Sequence, residues 1–242
     1  MNLKQYKNNN VLLIPDTHAP YHHKDALEFL ARVNDKYNPD RVFHMGDWTD
    51  SYCFSRYPKD IEHEDTYTKE YKKVRKFTED MLSIFPEGIA MKGNHDARLW
   101  ERAKQAGVPR GLLLPYDEVI GLKGTNWQMK YDYSFTVDAN RQQWFLAHTK
   151  TASAINCAKT LGMNVAFGHE HVKFVIESFQ SVHKRLYGVS TGCLIGDNRH
   201  AFAYNRQSMV RPNRGCVMLI DGIPKLIPMD VTPGGKWNRV VA

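Results

Sequence analysis

The chain has 242 residues, of which 42% are hydrophobic and 12% aromatic, enough to bury one substantial core. No run approaches the roughly 18 consecutive apolar residues of a membrane span, and the N-terminal segment lacks the apolar core of a signal peptide, so we expect a cytoplasmic protein without a membrane partner. The formal net charge of +7 fits a nucleic-acid partner and equally an enzyme of small anionic substrates.

The four cysteines form no C-x-x-C pair, which indicates reduced, mostly packed thiols and argues against a disulfide or zinc-cysteine framework. Sulfur is therefore not expected among the ligands of a metal site. No repeat, linker or low-complexity segment divides the sequence, so we predict a single domain over residues 1–242.

The first half of the chain alternates strand-like runs with amphipathic helices. Two apolar runs, "VLLIP" at 11–15 and "RVFHMGD" at 41–47, are typical of buried strands, and residues 24–36 between them have the apolar spacing of a helix. A long helix is predicted from about 61 to 85, then a strand in "EGIAM" and a helix over about 97–106. The order strand, helix, strand predicts the parallel sheet of an α/β fold.

Beyond Gly107 the sequence is mainly β-rich. Only Thr151 to Leu161 has the spacing of a helix, whereas the predicted strands lie in "SFTVD", "QWFLAH", "NVAFGHEH", "KFVIESF", "RLYGVST", "CVMLID" and "KLIPM". This pattern is compatible with two packed sheets flanked by helices.

Polar side chains directly follow several predicted strands. These residues are Asp16 and His18, then Asp47 and Asp50, then Asn94, His95 and Asp96, and finally His148, His169 and His171. Because the carboxyl ends of neighbouring strands meet at one edge of an α/β sheet, we expect these side chains to converge. Carboxylate, imidazole and amide ligands together suit Mn, Fe, Ni or Zn. They are too many for one tetrahedral ion, and they fit two ions about 3.5 to 4 Å apart that share a carboxylate.

The histidine pair in "GHEH" leaves the number of ions at that point open. In a regular strand His169 and His171 would face the same way and could share one ion. Gly168 and the end of the strand instead favour a loop that turns the two imidazoles apart, with Glu170 pointing outward and tolerant of replacement.

Taken in order, these residues read "DTH" at 16–18, "GDWTD" at 46–50, "GNHD" at 93–96, His148, and "GHEH" at 168–171. The chain thereby resembles the calcineurin-like metallophosphoesterases, whose signature is D-x-H, G-D-x-x-D, G-N-H-D, a lone histidine and G-H-x-H. The resemblance covers residues 11–171. It implies a four-layer αββα sandwich of two packed mixed β-sheets flanked by helices, and a hydrolase of phosphoric esters that uses two divalent transition-metal ions, with Mn the first candidate and Fe, Ni or Zn the others.

The resemblance also implies roles for individual residues. The first metal would be held by Asp16, His18 and His171, the second by Asn94, His148 and His169, and Asp47 would bridge both. His95 would meet the scissile phosphate without binding metal, oriented by Asp50. Thr149 departs from the glycine common after the lone histidine, and Ser51 stands where the protein phosphatase branch has its substrate arginine, so protein phosphatase activity is not expected.

Candidate substrate contacts lie outside the signature. The segment "GDNRHAFAYNRQSMVRPNRG" interleaves aromatic and basic side chains, which suits phosphate contact with base stacking and equally a solvated basic loop; its candidate substrate-binding residues are Arg199, Arg206 and Arg211. The basic side of the long helix, from Lys69 to Lys76, fits either a solvated surface or a phosphate-tracking one. Residues 98–127 could form a flap beside the metals or pack in the ordinary way around Leu112 to Leu114. Trp48 could line the entrance of the site or occupy a core position.

We therefore predict a metal-dependent phosphodiesterase that acts on nucleic acid or nucleotides, with a hydroxide bridging two ions as the nucleophile. One alternative is a phosphomonoesterase of small phosphorylated substrates. A non-catalytic scaffold of the same fold is less favoured, because every block of the signature is filled.

Overall fold

The structure is a computed structural model and describes residues 10–56, 58, 66–148, 153–196 and 211–241. Five α-helices are described: α1 Ala26–Tyr37, α2 Tyr67–Ile84, α3 Arg98–Gln105, α4 Tyr116–Ile120 and α5 Ala154–Leu161. The strands of the first half are β1 Val11–Ile14, β2 Arg41–His44, β3 Glu87–Met91 and β4 Asn126–Lys130. The remaining strands are β5 Ser134–Ala139, β6 Gln142–Ala147, β7 Asn164–Phe167, β8 Phe174–Gln180, β9 Arg185–Thr191, β10 Gly215–Ile220 and β11 Ile223–Pro228.

Two mixed sheets form the centre of the fold. The first has the strand order β11-β10-β1-β2-β3-β4, with β1 to β4 parallel, and the second has the order β5-β6-β7-β9-β8, with β6, β7 and β9 parallel. All other pairings are antiparallel. Helices cover the outer faces, so the predicted arrangement of two packed mixed β-sheets flanked by helices is confirmed.

The sequence of β1 shows why the sheets pack in layers. All four residues of "VLLI" are fully buried, and because side chains alternate along a strand they serve two cores. Val11 and Leu13 pack in the core between the two sheets, whereas Leu12 and Ile14 pack beneath the helices. An uninterrupted apolar run is therefore what a strand buried on both faces requires.

The helices on the first sheet follow the apolar spacing of their sequences. In α1 the buried residues Ala26, Phe29, Leu30 and Val33 lie on one face, and Asn38 ends the helix in a left-handed conformation with φ of 41°. The long helix predicted from about 61 to 85 is described as α2, whose N-terminal Thr66 side chain accepts a hydrogen bond from Lys69 N.

Two elements in the segment at 98–127 were not predicted. The expectation of a single helix beyond Gly107 was wrong, because α4 is helical, and strand β4 was missed altogether. At five residues, α4 is too short to show a helical period, although Pro115 precedes it and Gly121 ends it with φ of 87°. Strand β4 is an edge strand whose inward positions are limited to Trp127 and Met129, so its apolar signal is weak.

The structure also decides two of the open alternatives, those for Trp48 and for the leucines at 112–114. Trp48 is fully buried, with its Nε1 donating to Thr78 Oγ1 at 3.1 Å, and is therefore a core residue. Leu112 is 76% exposed and Leu114 56% exposed, so the interpretation of this segment as ordinary packing around its leucines was wrong. No helix among the described ranges is long and apolar enough to cross a membrane.

Candidate metal centre

The predicted ligands meet where five strands end on the same side of the two sheets. Asp16 follows β1, Asp47 follows β2, Asn94 follows β3, His148 follows β6, and His169 and His171 follow β7. Since these strands run parallel within their sheets, their carboxyl ends open on one edge. The predicted convergence is thus present in the structure.

One cluster contains the four residues expected around the first metal: Asp16, His18, Asp47 and His171. His171 Nε2 lies 3.0 Å from Asp16 Oδ2. His18 Nε2 lies 3.4 Å from Asp47 Oδ2 and 3.9 Å from Asp16 Oδ2. Two carboxylates and two imidazoles therefore face a common point.

A second cluster contains Asp47, His148 and His169, and Asn94 joins it through its amide oxygen. Asn94 Oδ1 lies 2.8 Å from His169 Nδ1 and 3.0 Å from His148 Nε2. His148 Nε2 in turn lies 3.2 Å from Asp47 Oδ2. The two clusters share Asp47 and otherwise match the two ligand sets implied by the signature.

The loop conformations explain why these residues can approach so closely. Asp47 has φ of 50° and follows Gly46 with φ of 98°, so the chain turns sharply after β2. A side chain at Gly93 would place its Cβ 2.1 Å from Asp47 Oδ1, which reserves that position for glycine. His169 has φ of 75°, and this left-handed residue directs the imidazoles of His169 and His171 to different clusters.

Hydrogen bonds behind the ligands fix which ring nitrogen faces the site. His148 Nδ1 donates to Met45 O at 2.9 Å, and His18 Nδ1 lies 3.0 Å from Asp50 Oδ2, so in both residues Nε2 faces the cluster. Such partners orient the imidazole and set its tautomer in metal sites. The carboxylate of Asp50 thus positions His18, a role that the sequence did not suggest.

Asp96, the last residue of "GNHD", anchors the loop that carries Asp47 and Asp50. Its buried carboxylate accepts hydrogen bonds from Gly93 N at 2.8 Å and Thr49 N at 2.9 Å, and from the hydroxyl of Tyr116 in α4. Burial, followed by the charge of Asp47, raises the pKa of Asp96. Five backbone and side-chain donors nevertheless surround it, so Asp96 ties the loops after β2 and β3 together.

A third group of possible metal ligands consists of His18, Asp50 and His95. These residues form a hydrogen-bonded network that is a poor site for a cation. Arg98 Nη1 donates to Asp50 Oδ1 at 3.1 Å and to Asp50 O at 2.9 Å. A guanidinium at this point repels a cation, because it carries a positive charge under all ordinary conditions.

His95 contacts Asp50 mainly through the main chain. Its Nδ1 lies 3.0 Å from Asp50 O, whereas the distance to the carboxylate Oδ1 is 3.6 Å. The backbone N–H of His95 donates to Asp47 Oδ1 at 2.7 Å. The backbone of His95 is therefore bonded to the shared carboxylate, while its imidazole lies 4.2 Å from that of His18 and belongs to neither ligand cluster.

Buried charges strongly shift the pKa values of the carboxylates and imidazoles at this site. Burial alone would lower the pKa of His148, but the charges of Asp47 and Asp16 outweigh it and raise the pKa to about 10. Burial likewise opposes protonation of His18, yet its carboxylate partners Asp16, Asp47 and Asp50 raise its pKa well above 6.5. For Asp16 and Asp47, the surrounding imidazoles outweigh burial and hold both pKa values well below the usual range.

The donor set fits divalent ions. Among the described residues, His18 Nε2 and Asp47 Oδ2 are buried side-chain atoms without a hydrogen-bond partner, and burying such atoms unsatisfied is costly. Both point into the clusters, where a cation would satisfy them. Mixed imidazole, carboxylate and amide donors suit transition metals.

The candidate substrate arginines are only partly covered by the structure. Arg199 and Arg206 lie outside the described residues. Arg211 is exposed, two residues before Asn213, whose backbone N–H donates to His171 O at 2.9 Å. Arg98 was not among the residues predicted from the sequence, where its only signal is its position directly after "GNHDA".

The protonated imidazoles lead to a prediction about metal binding. Because His148 and His18 have raised pKa values, both are protonated at neutral pH before metal binds and must lose that proton to become ligands. We expect Mn²⁺ binding at pH 7 to release on the order of two protons, with affinity increasing as the pH rises. Calorimetric titration in buffers of different ionisation enthalpy measures this release, and a binding enthalpy independent of the buffer would contradict it.

Comparison with known proteins identifies the family of the chain. The family model of the calcineurin-like phosphoesterases matches residues 10–173. No curated protein matches the chain significantly. Similar solved structures include Vps29 of Chaetomium thermophilum, with 13% identity, a TM-score of 0.47 and coverage of 96% of this chain and 95% of that chain. Vacuolar protein sorting 29 of Cryptosporidium parvum has 14% identity, a TM-score of 0.49 and 97% coverage of both chains.

The phosphoesterase YfcE of E. coli has 12% identity, a TM-score of 0.46 and coverage of 95% of this chain and 96% of that chain. These likenesses are too distant to carry an argument about function. The family match spans most of the 242 residues and includes every predicted metal ligand. The chain therefore belongs to the calcineurin-like phosphoesterase family and is a metal-dependent hydrolase of phosphoric esters.

Proposed function

We propose that this protein is a phosphodiesterase that hydrolyses phosphodiester bonds of nucleic acid or nucleotides. The observation that carries the proposal is the pair of donor clusters sharing Asp47, with the backbone N–H of His95 bonded to the shared carboxylate and the imidazole of His95 4.2 Å from that of His18. Two adjacent cation sites and a third polar group suit a phosphoryl group, because negative charge accumulates on its oxygens during hydrolysis.

The residues would divide between two ions, for which Mn²⁺ is our proposal. Asp16, His18 and His171 would hold one ion and Asn94, His148 and His169 the other, with Asp47 contributing to both. When bound, such a pair supplies Lewis-acid activation of water and of the phosphoryl oxygens. Among the described residues, no cysteine belongs to either cluster.

His95 is placed to act on the substrate through one ring nitrogen. Its Nδ1 is engaged with Asp50 O, so Nε2 is the nitrogen that can contact a substrate oxygen. Arg98 Nη2 donates to this nitrogen in the substrate-free protein, so Nε2 takes up a proton only once that hydrogen bond opens. The proton would then stabilise charge on the phosphate or pass to the leaving oxygen, which contributes on the order of a hundredfold or more in rate. We propose that His95 has this role and that Asp50 positions it.

Support for a polyanionic substrate comes from charge and placement. The net charge is +7, and Arg211 is exposed beside the loop that carries His171. The basic side of α2 contributes less, because Arg75 donates to Glu118 O and Val119 O and Lys76 pairs with Asp80. Nucleic acid would therefore be engaged mainly from the side of Arg211.

A phosphomonoesterase of small phosphorylated substrates is the second candidate. Arg98 favours it, because a guanidinium close to His95 suits the additional negative charge of a monoester. A single domain over residues 1–242 remains our proposal, as does a cytoplasmic location, which the absence of a disulfide among the four cysteines supports.

A substrate panel tests the proposal. With Mn²⁺ loaded, we expect higher kcat/KM on bis-p-nitrophenyl phosphate or cyclic nucleotides than on p-nitrophenyl phosphate, and cleavage of labelled single- or double-stranded DNA that weakens as salt rises. Preference for the monoester would favour the second candidate, and insensitivity to salt would count against a nuclease. Complete absence of turnover in the metal-loaded protein would favour a non-catalytic scaffold.

Two variants separate metal binding from turnover. His95→Ala should keep its Mn content and lose at least about a hundredfold in kcat, whereas Asp47→Ala should lose metal as well, because it belongs to both clusters. Metal analysis beside kinetics measures the difference, with His183→Ala, an exposed histidine in the turn before β9, as the control. Full activity of His95→Ala on a substrate with a poor leaving group would rule out its role as an acid.

A further inference from the structure

Arg98, the first residue of α3, reaches the edge of the metal centre from outside the signature. Its guanidinium contacts two residues that flank the shared carboxylate: Asp50, at Oδ1 and at the main-chain oxygen, and His95, at Nε2 with a distance of 2.9 Å from Nη2. The Arg98 side chain is 17% exposed and that of His95 10% exposed, so both border solvent at the site.

The contact with His95 fixes the direction of the hydrogen bonds. A guanidinium has only donors, so His95 Nε2 must accept from Arg98 Nη2. The proton of the neutral ring then lies on Nδ1, which donates to Asp50 O at 3.0 Å. Arg98 thus occupies the same nitrogen of His95 that a substrate oxygen would approach.

Part of the Arg98 guanidinium makes no hydrogen bond to the described residues. Among the described residues, its hydrogen bonds involve Nη1 and Nη2 alone, which leaves Nε–H and one hydrogen of Nη2 without an acceptor. Asp50 holds the guanidinium by Nη1. Because the guanidinium is planar and rigid, the remaining N–H donors then point in fixed directions within its plane. These two unused N–H donors lie at the border of a site for phosphate esters. A phosphate can accept two parallel hydrogen bonds from one guanidinium, so the pair suits a phosphate.

We propose that Arg98 binds a non-bridging oxygen of the substrate phosphate, next to His95, and that Asp50 holds its guanidinium in place. The proposal rests on the proposed phosphoester hydrolysis and adds a substrate-binding residue to it. The simpler interpretation, an ion pair with Asp50 that only stabilises the fold, accounts for Nη1 and leaves the contact with His95 and the unused donors unexplained.

The test measures phosphate binding separately from turnover. Full-length protein loaded with Mn²⁺ is titrated with inorganic phosphate by calorimetry, as wild type, Arg98→Gln, Arg98→Lys and Arg102→Gln. Arg102 is the matched control, since it lies one turn further along α3 and donates to Phe54 O and Ser55 O, away from His95 and Asp50. Mn content and kcat/KM on bis-p-nitrophenyl phosphate are measured on the same samples.

Arg98→Gln should bind phosphate about 10- to 100-fold more weakly with unchanged Mn content, because a charge-assisted hydrogen bond is lost. Arg98→Lys should lie between it and wild type, since it keeps the charge and loses the fork. Arg102→Gln should stay within about twofold of wild type.

Unchanged phosphate affinity in Arg98→Gln, or no measurable phosphate binding by wild type, would overturn the proposal. Loss of Mn from Arg98→Gln would also overturn it, because Arg98 would then act through Asp50 and His18. Failure of the proposed function looks different: wild type would hydrolyse no ester, while the effect of Arg98 on phosphate affinity would still be measured.

Discussion

The burial of two neighbouring carboxylates at the ends of β1 and β2 is the constraint on which the rest of the site depends. Asp16 and Asp47 are fully buried, and their charges must be balanced by imidazolium groups or by cations. Asp47 stands at the centre: Oδ1 accepts from His95 N, while Oδ2 lies 3.4 Å from His18 Nε2 and 3.2 Å from His148 Nε2. A single carboxylate therefore couples both clusters to the loop of His95.

The fold holds Asp47 in this position through contacts that involve no predicted ligand. Asp96 binds the loops after β2 and β3 to each other. Trp48, the residue directly after Asp47, is held in the core beneath α2 by its hydrogen bond to Thr78. Glu70, buried in α2, accepts from Tyr52 N and Cys53 N and so fixes the short helical turn that follows Asp50. Helix packing on the outer face of the first sheet thus determines the geometry of the site.

The sequence predicts those parts of this arrangement that are encoded locally. Fully apolar runs such as "VLLI" identify strands buried on both faces, and ligands placed directly after such strands must meet at one edge. Long-range partners leave no such pattern. The contacts of Arg98 with Asp50, of Asp50 with His18, and of Tyr116 with Asp96 join positions from 20 to 48 residues apart, so they appear only once the loops are folded together.

Anomalous diffraction from crystals of the Mn²⁺-loaded protein tests whether Asp47 is shared by two cations. We expect two anomalous peaks about 3.5 to 4 Å apart, with the Asp47 carboxylate between them. One peak should lie near Asp16, His18 and His171 and the other near Asn94, His148 and His169. A single peak, or two peaks that Asp47 does not join, would contradict it.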